Sequence, residues 1–216
     1  GTQPMTSTCQ RYTLIFNGEV YNYKEVRQKL KDEGEIFKGS SDTEVLLKAW
    51  IQWGTKCLPR LNGMYAFCIF NKSENTLNLV RDAFGIKPIY YYFSKNLFCF
   101  SSEITPILNL IPEKIKANSR STYRYLVHNS NDFTDETFFE NINQLLPGHL
   151  LTYDLKNSKT EKEQWWKPIY TKINNKSQEE LKELIKEKFL TNLRLNTRSD
   201  VKLCIPLSGG IDSSSI

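Results

Sequence analysis

Residues 64–70 read MYAFCIF, apolar at every position. A strand with one wet face alternates between apolar and polar side chains. A strand apolar on both faces has to lie between two packed layers. Three more short segments follow: TLNLVRD (76–82), PIYYYF (88–93) and NLFCFSS (96–102), separated by brief turn-rich links. Ser94-Lys95 precedes Asn96 at an expected hairpin tip. Strands crowded in this way, with helices left for the outside, predict an α+β fold. In it, sheets pack face to face under helical cover.

The helices have recognisable ends. YKEVRQKLKDEG (23–34) sets Val26 and Leu30 four apart among charges and stops at Gly34, a short amphipathic helix with a glycine cap. SSDTEVLLKAWIQWG (40–54) offers Ser41 or Asp42 as N-cap and Gly54 as terminator. Its expected apolar face is Val45, Leu46, Ala49 and Trp53. EITPILNL (103–110) suits a helix only if Pro106 falls in its first turn or kinks it. QLLPGHLLTYDL (144–155) reads as two short strands around Pro147-Gly148. NKSQEELKELIKEKFLTNL (175–193) is the clearest helix. Ser177 and Glu180 form a capping box, and Leu181, Leu184, Ile185, Phe189 and Leu193 line one face. RYTLIFNG (11–18) reads as a strand ending at Asn17-Gly18. Asn-Gly is a type I′ hairpin signal, here and at Asn62-Gly63.

Several classes are disfavoured. No run of about 18 apolar residues is present, and GTQPMTSTCQ is not a signal peptide. Five widely spaced cysteines without a CxxC pattern argue against a disulfide framework or a structural zinc. A reducing, cytoplasmic compartment fits them, and Cys68 and Cys99 read as small buried hydrophobes. The net charge of +5 comes entirely from residues 156–202, with 12 Lys/Arg against 7 Asp/Glu. That stretch is either a solvated linker and helix face or a surface that attracts a polyanion such as a nucleotide or RNA.

The last residues, VKLCIPLSGGIDSSSI, read as a strand running into a glycine turn. Two glycines let backbone N–H groups converge on one point, and Ser208, Ser213 and Ser214 add hydroxyls. The product is a pyrophosphate cradle, with Asp212 able to hold Mg²⁺. A Walker A loop is excluded because its Lys is absent. SGGIDSS is similar to the SGGxDS loop of the N-type ATP pyrophosphatases. Much of such a site lies on elements that would follow, so the chain is expected to be cut from a longer one.

A series of segments carries a wider resemblance: FNGEVYNYKE, SSDTEVL, RLNGMYAF, RDAFGIKPIYYY, SSEI and ETFFENINQLLPGHLL. In this order the chain resembles the glutamine-hydrolysing asparagine synthases over essentially all its length. Their first half is a class II, N-terminal-nucleophile glutamine amidotransferase. RSDVKLCIPLSGGIDSS resembles the start of the synthetase half. Lys202 stands where the family commonly has proline.

The resemblance implies an Ntn-hydrolase αββα sandwich over residues 1–155 and a linker over 156–176. The first strand of an α/β ATP-pyrophosphatase domain follows within 177–216. It implies that glutamine's amide is attacked by an N-terminal cysteine. The oxyanion is held by the Asn17 side chain and the Gly18 N–H, and glutamine is bound by Asn17, Gly18, Glu19 and Asp42. Asp42 would grip the α-ammonium group, and it can be a helix cap as well. Arg81 and Asp82 are expected to hold the fold. Leu207, Ser208, Gly209, Gly210, Asp212, Ser213 and Ser214 would bind ATP with Mg²⁺, Asp212 being the metal ligand. The small-molecule partners are glutamine, aspartate and ATP, with no nucleic acid or membrane partner and a homodimer left open. The chain begins with Gly1, and Cys9 lies before the first strand, so the nucleophile is expected outside these residues. Alternatives are a β-lactam-synthetase-like relative with another acceptor, a catalytically dead paralogue and a tRNA-modifying pyrophosphatase.

Overall fold

The computed structural model describes residues 2–95, 97–130, 133–170, 176–198, 202, 204 and 206–216. The chain divides into two compact units, 1–167 and 168–216.

In the first unit the expected two-layer sheet packing is present. One antiparallel sheet has the order β1 (Met5–Thr6), β2 (Tyr12–Val20), β3 (Gly63–Asn71), β4 (Thr76–Arg81), β8 (His149–Asp154), β9 (Lys159–Gln164). A second has the order β6 (Phe98–Ser101), β5 (Tyr90–Phe93), β7 (Ile142–Gln144). Strand β3 is the MYAFCIF segment, and its two apolar faces serve two different cores. Tyr65, Phe67 and Ile69 pack with Leu14 and Phe16 against α1 (Tyr23–Asp32) and α2 (Asp42–Trp53). Ala66 and Cys68 face the other way, toward Ile89, Tyr91 and Leu145. The far side of the second sheet, through Tyr92, Cys99 and Ile142, packs on Ile107 and Ile111, in and just after α3 (Ile104–Leu110). The layers therefore run helix, sheet, sheet, helix. Each fully buried aliphatic or aromatic side chain contributes about 1.5–3 kcal/mol, so three shared cores hold the sandwich far more firmly than any surface ion pair.

Local chemistry explains the element ends. In α1, Gly34 takes φ +94°, and the N–H groups of Gly34 and Glu35 donate to Lys31 O and Leu30 O. That is a Schellman termination, which needs a left-handed residue at this point. Ser41 caps α2 through Glu44 N–H. Trp50 rather than Trp53 is the deeper tryptophan of α2, and it meets the Phe67 ring edge-on at 5.9 Å. Pro106 sits in the first turn of α3, where its missing N–H has no intrahelical acceptor to lose. Helix α4 (Ser119–His128) is capped by the Asn118 side chain.

Three expectations are corrected. Strand β2 does not stop at Asn17-Gly18; it runs on to Val20, with Gly18 paired to Tyr65 and Glu19 to Met64. Asn62-Gly63 is not a hairpin tip either, because Gly63 opens β3 opposite Val20 after the intervening helices. The expected linker from 156 is occupied by β9, which pairs with β8 from Asp154–Lys159 to His149–Gln164. KTEKEQ has no apolar alternation because β9 is an edge strand exposed throughout, and its charges guard the edge against further pairing. The two strands around Pro147-Gly148 do form, but β7 and β8 belong to different sheets.

Arg81 and Asp82 hold the loop that leads from one sheet to the other. The Asp82 carboxylate, fully buried, accepts from the N–H groups of Tyr65, Phe84, Ile86 and Lys87 at 3.0–3.1 Å. The Arg81 guanidinium collects the carbonyls of Gly85, Lys87 and Leu145 and the Gln144 side chain at 2.7–3.0 Å. One side chain takes the loop's donors and the other takes its acceptors, so its buried backbone is satisfied without sheet pairing.

In the second unit, α5 (Gln178–Asn196) starts at the expected capping box of Ser177 and Glu180. None of its residues is buried within the unit, and Ile185 and Phe189 are exposed. The strand expected before the glycine turn falls partly on residues 199–201, 203 and 205, outside the described residues. Lys202, Cys204, Pro206 and Leu207 are not in a strand. A short helix, α6 (Ile211–Ser215), follows the turn.

Candidate functional site

Strand alternation sets the site. On β2, Leu14, Phe16 and Val20 point into the helix-side core, so Ile15, Asn17 and Glu19 point to the opposite face. Asn17 is exposed there, beside a cavity of about 300 Å³ lined by Gln3, Ile15, Ala66, Cys68, Phe100 and Ser102 among others. The Asn17 side-chain Nδ2 donates to Ser102 Oγ at 3.1 Å. Ser102 follows β6, so this bond joins the two sheets.

The backbone edge of β2 is occupied on either side of Gly18. Toward the start of the strand, β1 pairs with Leu14 and Thr13, and the backbone ladder stops at Met5. The Gln3 side-chain amide takes over the pairing: Phe16 N–H donates to Gln3 Oε1 at 2.6 Å and Gln3 Nε2 donates to Phe16 O at 2.8 Å. Toward the end, Val20 N–H donates to Asp42 Oδ2 at 3.0 Å. Backbone groups alternate along a strand, so Gly18 carries its N–H on the same edge as Phe16 and Val20, between the two clamps.

Gly18 is required where it stands. Its φ is +138°, and a Cβ there would lie 2.0 Å from Met64 O on the neighbouring strand. Only glycine tolerates both the torsion and the approach. A side-chain amide and a backbone N–H on consecutive residues, beside an open cavity, are suited to holding a negatively charged oxygen.

Asp42 is the first residue of α2 rather than its cap, which is Ser41. Its Oδ2 ties the helix start to the end of β2, about 10 Å along the strand from Asn17 at the usual rise. Oδ1 accepts from the neighbouring Thr43 hydroxyl at 3.4 Å. Glu19 is exposed on the Asn17 face, with its backbone opposite Met64.

Among the described residues the thiol that lines the Asn17 cavity is Cys68, and burial pushes its pKa far up, so it stays protonated and unreactive. Cys9 lines a different and larger cavity of about 520 Å³ between the start of the chain and α2. The larger cavity is a poorer candidate by chemistry: Glu44 is committed to the N–H groups of Lys38 and Gly39, and Lys48 is paired with Glu35.

The glycine turn lies in the second unit. Ser208 N–H and Ser208 Oγ both meet Ser213 Oγ, at 3.2 and 3.0 Å, and Gly209 adopts φ +78°. Gly210 is the N-cap of α6, and Asp212 lies in its first turn. Leu207, Ser208, Gly209, Gly210, Asp212 and Ser214 are at the surface or partly so. Among the described residues no cluster of three or more His, Cys, Asp or Glu forms a metal site, and no helix is long and apolar enough to cross a membrane.

Gln3 and Ser102 belong to the site although neither was singled out from the chain alone. Ser102 lies in the SSEI segment of the resemblance, but the partners of Gln3 and Ser102 are 13 and 85 residues away. Only the register and the sheet packing reveal those pairings.

Known proteins share this fold and sequence. A solved glutamine phosphoribosylpyrophosphate amidotransferase from B. subtilis shares the fold, with a TM-score of 0.53 and 21% identity, over 77% of this chain and 32% of that one. Asparagine synthetase [glutamine-hydrolyzing] 3 of Bacillus subtilis is 33% identical over 100% of this chain and 35% of its own length. A putative asparagine synthetase [glutamine-hydrolyzing] 2 of Methanocaldococcus jannaschii is 36% identical over 94% of this chain and 39% of its own. The chain therefore spans between a third and two fifths of the length of these curated relatives. The glutamine amidotransferase domain profile matches residues 1–166, essentially the whole of the first compact unit. By that match the chain belongs to the glutamine amidotransferase domain family.

Proposed function

We propose that this chain supplies the glutamine-hydrolysing part of a cytoplasmic asparagine synthase, together with the first residues of its ATP-dependent part. The observation that carries the reading is the β2 edge. Gln3 and Asp42 occupy the positions on either side of Gly18, while the Asn17 amide stands over the adjoining cavity.

In this reading glutamine enters the Asn17 cavity, and its α-ammonium group is drawn to the Asp42 carboxylate, with Glu19 beside it. A cysteine thiolate adds to the side-chain carbonyl carbon, and the carbonyl π-electrons move onto oxygen. Asn17 Nδ2–H and Gly18 N–H donate to that oxyanion, which exists only in the tetrahedral species, so they lower the barrier rather than tighten the ground state. The cysteine's own α-amino group takes the thiol proton and returns it to the departing nitrogen, so collapse expels ammonia and leaves a thioester, which water cleaves to glutamate. Cys9 and Cys68 are not the nucleophile: the first lies at another cavity and the second is buried and protonated.

The ammonia is consumed by a carboxyl activated with ATP. The hydroxyls and N–H groups of Ser208, Gly209, Gly210, Ser213 and Ser214, with Leu207 leading into the turn, fit a pyrophosphate's need for donors. Asp212 is the carboxylate suited to its Mg²⁺. Aspartate, activated as β-aspartyl-AMP, is the acceptor in this reading.

The test uses the native gene product and two nitrogen sources. Asn17→Ala should lower glutamine-driven asparagine formation by about 10²–10³-fold and leave ammonia-driven formation intact. Equal loss of both would show that Asn17 supports the fold instead. Replacing aspartate by other amino acids tests the acceptor separately.

A further inference from the structure

We infer that Ser102 is a positioning residue for glutamine hydrolysis: its hydroxyl fixes the orientation of the Asn17 side-chain amide. The inference rests on the reading of Asn17 as an oxyanion donor.

Asn17 is on an exposed face, and its own sheet does little to hold it. Its strand neighbours on that face are Ile15 and Glu19, both also exposed, and its cross-strand partner is Ala66, too small to restrict it. The polar contact that orients the side chain comes from the other sheet, as the 3.1 Å bond from Nδ2 to Ser102 Oγ. A primary amide has two N–H groups in one plane. Committing one to Ser102 sets both the side-chain rotamer and the plane of the amide, leaving the second N–H directed by geometry rather than by chance.

Ser102 can play this part because it is itself held from two sides. The residue before it, Ser101, is paired with Tyr90 in the second sheet, and its hydroxyl accepts from Glu103 N–H at 3.2 Å. Two residues after it, α3 begins and drives Ile107, fully buried, into the outer core. A short turn pinned between a paired strand and a packed helix is a stiff mount. The Ser102 hydroxyl thus carries the placement of one sheet to a reactive group on the other.

The expected size follows from what Asn17 would lose. A free asparagine samples roughly three χ1 wells and about two amide orientations, so the productive arrangement falls to about a sixth. Removing the hydroxyl should therefore reduce the turnover number for glutamine about 3–10-fold. The glutamine KM should hardly move, because the ground state does not use the oxyanion contact.

The experiment compares Ser102→Ala, Ser102→Thr and Asn17→Ala in the native gene product, measuring kcat and KM for glutamine and the ammonia-driven rate. A fall of 3–10-fold in kcat at constant KM for Ser102→Ala, restored by Ser102→Thr, with the ammonia-driven rate unchanged, is the result expected. Ser102→Ala within twofold of the parent while Asn17→Ala falls 100-fold or more would overturn the inference and leave the oxyanion reading standing. A rise in KM without a change in kcat would also overturn it, making Ser102 a ground-state contact. If Asn17→Ala itself leaves glutamine hydrolysis unchanged, the underlying reading fails and the inference with it. A loss of ammonia-driven rate in Ser102→Ala would assign the residue to the fold.

Discussion

Replacing Gly18 by alanine tests the backbone geometry on which the site depends, and it can be measured on this chain directly. Two terms act. At φ +138° any side chain is strained by about 1–3 kcal/mol. The new Cβ would also stand 2.0 Å from Met64 O, when 3.0 Å is close to the limit for real Cβ contacts. Strands β2 and β3 must part locally by about 1 Å, which breaks backbone hydrogen bonds on either side, at a net of about 0.5–1.5 kcal/mol each. The sum is a destabilisation of about 2–6 kcal/mol. That would lower the melting temperature of a unit of this size by roughly 4–24 °C. Gly34→Ala is the control: its φ is +94° but nothing lies within 4 Å of the added Cβ, so it should show the torsional term alone, about 1–2 kcal/mol. The assay is urea unfolding followed by tryptophan fluorescence. The four tryptophans, Trp50, Trp53, Trp165 and Trp166, all lie in the first compact unit, so the signal reports that unit. A Gly18→Ala value below about 1 kcal/mol, or one no larger than that of Gly34→Ala, would refute the close approach of the two strands.

Asp82→Ala removes the acceptor for four backbone N–H groups and should destabilise the first unit by about 3–5 kcal/mol in the same assay; a change under about 1 kcal/mol would contradict the loop staple. Asp42→Asn keeps an oxygen for Val20 N–H but loses the charge. In the native gene product it should raise the glutamine KM about 10–100-fold, the worth of a charge-assisted hydrogen bond, and an unchanged KM would take Asp42 out of substrate binding. Thiol labelling of the folded chain near pH 8 should modify Cys9 and Cys204, which are exposed, and spare Cys57, Cys68 and Cys99, which are buried. Burial pushes the Cys57 thiol up to about 12, whereas the Ser7 hydroxyl holds Cys9 below the ordinary thiol range. Thiolate at Cys9 therefore forms at lower pH, and its labelling should rise earlier as the pH climbs; fast labelling of a third cysteine would disprove the burial.

Much of this molecule could be read from local order alone. The doubly apolar run at 64–70 demanded a position between layers, and β3 takes it. The end of α1, both ends of α2 and the start of α5 follow from side-chain caps or a left-handed glycine, features set within four or five residues. What distant residues do to one another lay beyond such reading. Asn17-Gly18 carries a local turn signal, yet the pairing with Ala66 and Tyr65 keeps both in an extended strand. KTEKEQ has no strand pattern, yet the free edge of β8 recruits it, because backbone hydrogen bonds need no apolar side chains. Asn17 was recognisable as a residue type in a telling segment, whereas Ser102 and Gln3 became part of its surroundings only through sheet packing and register. Local sequence determines where helices start and stop, since capping bonds close over a few residues. Which groups converge on a site depends on contacts 13 to 85 residues apart, and these exist only once the cores have packed.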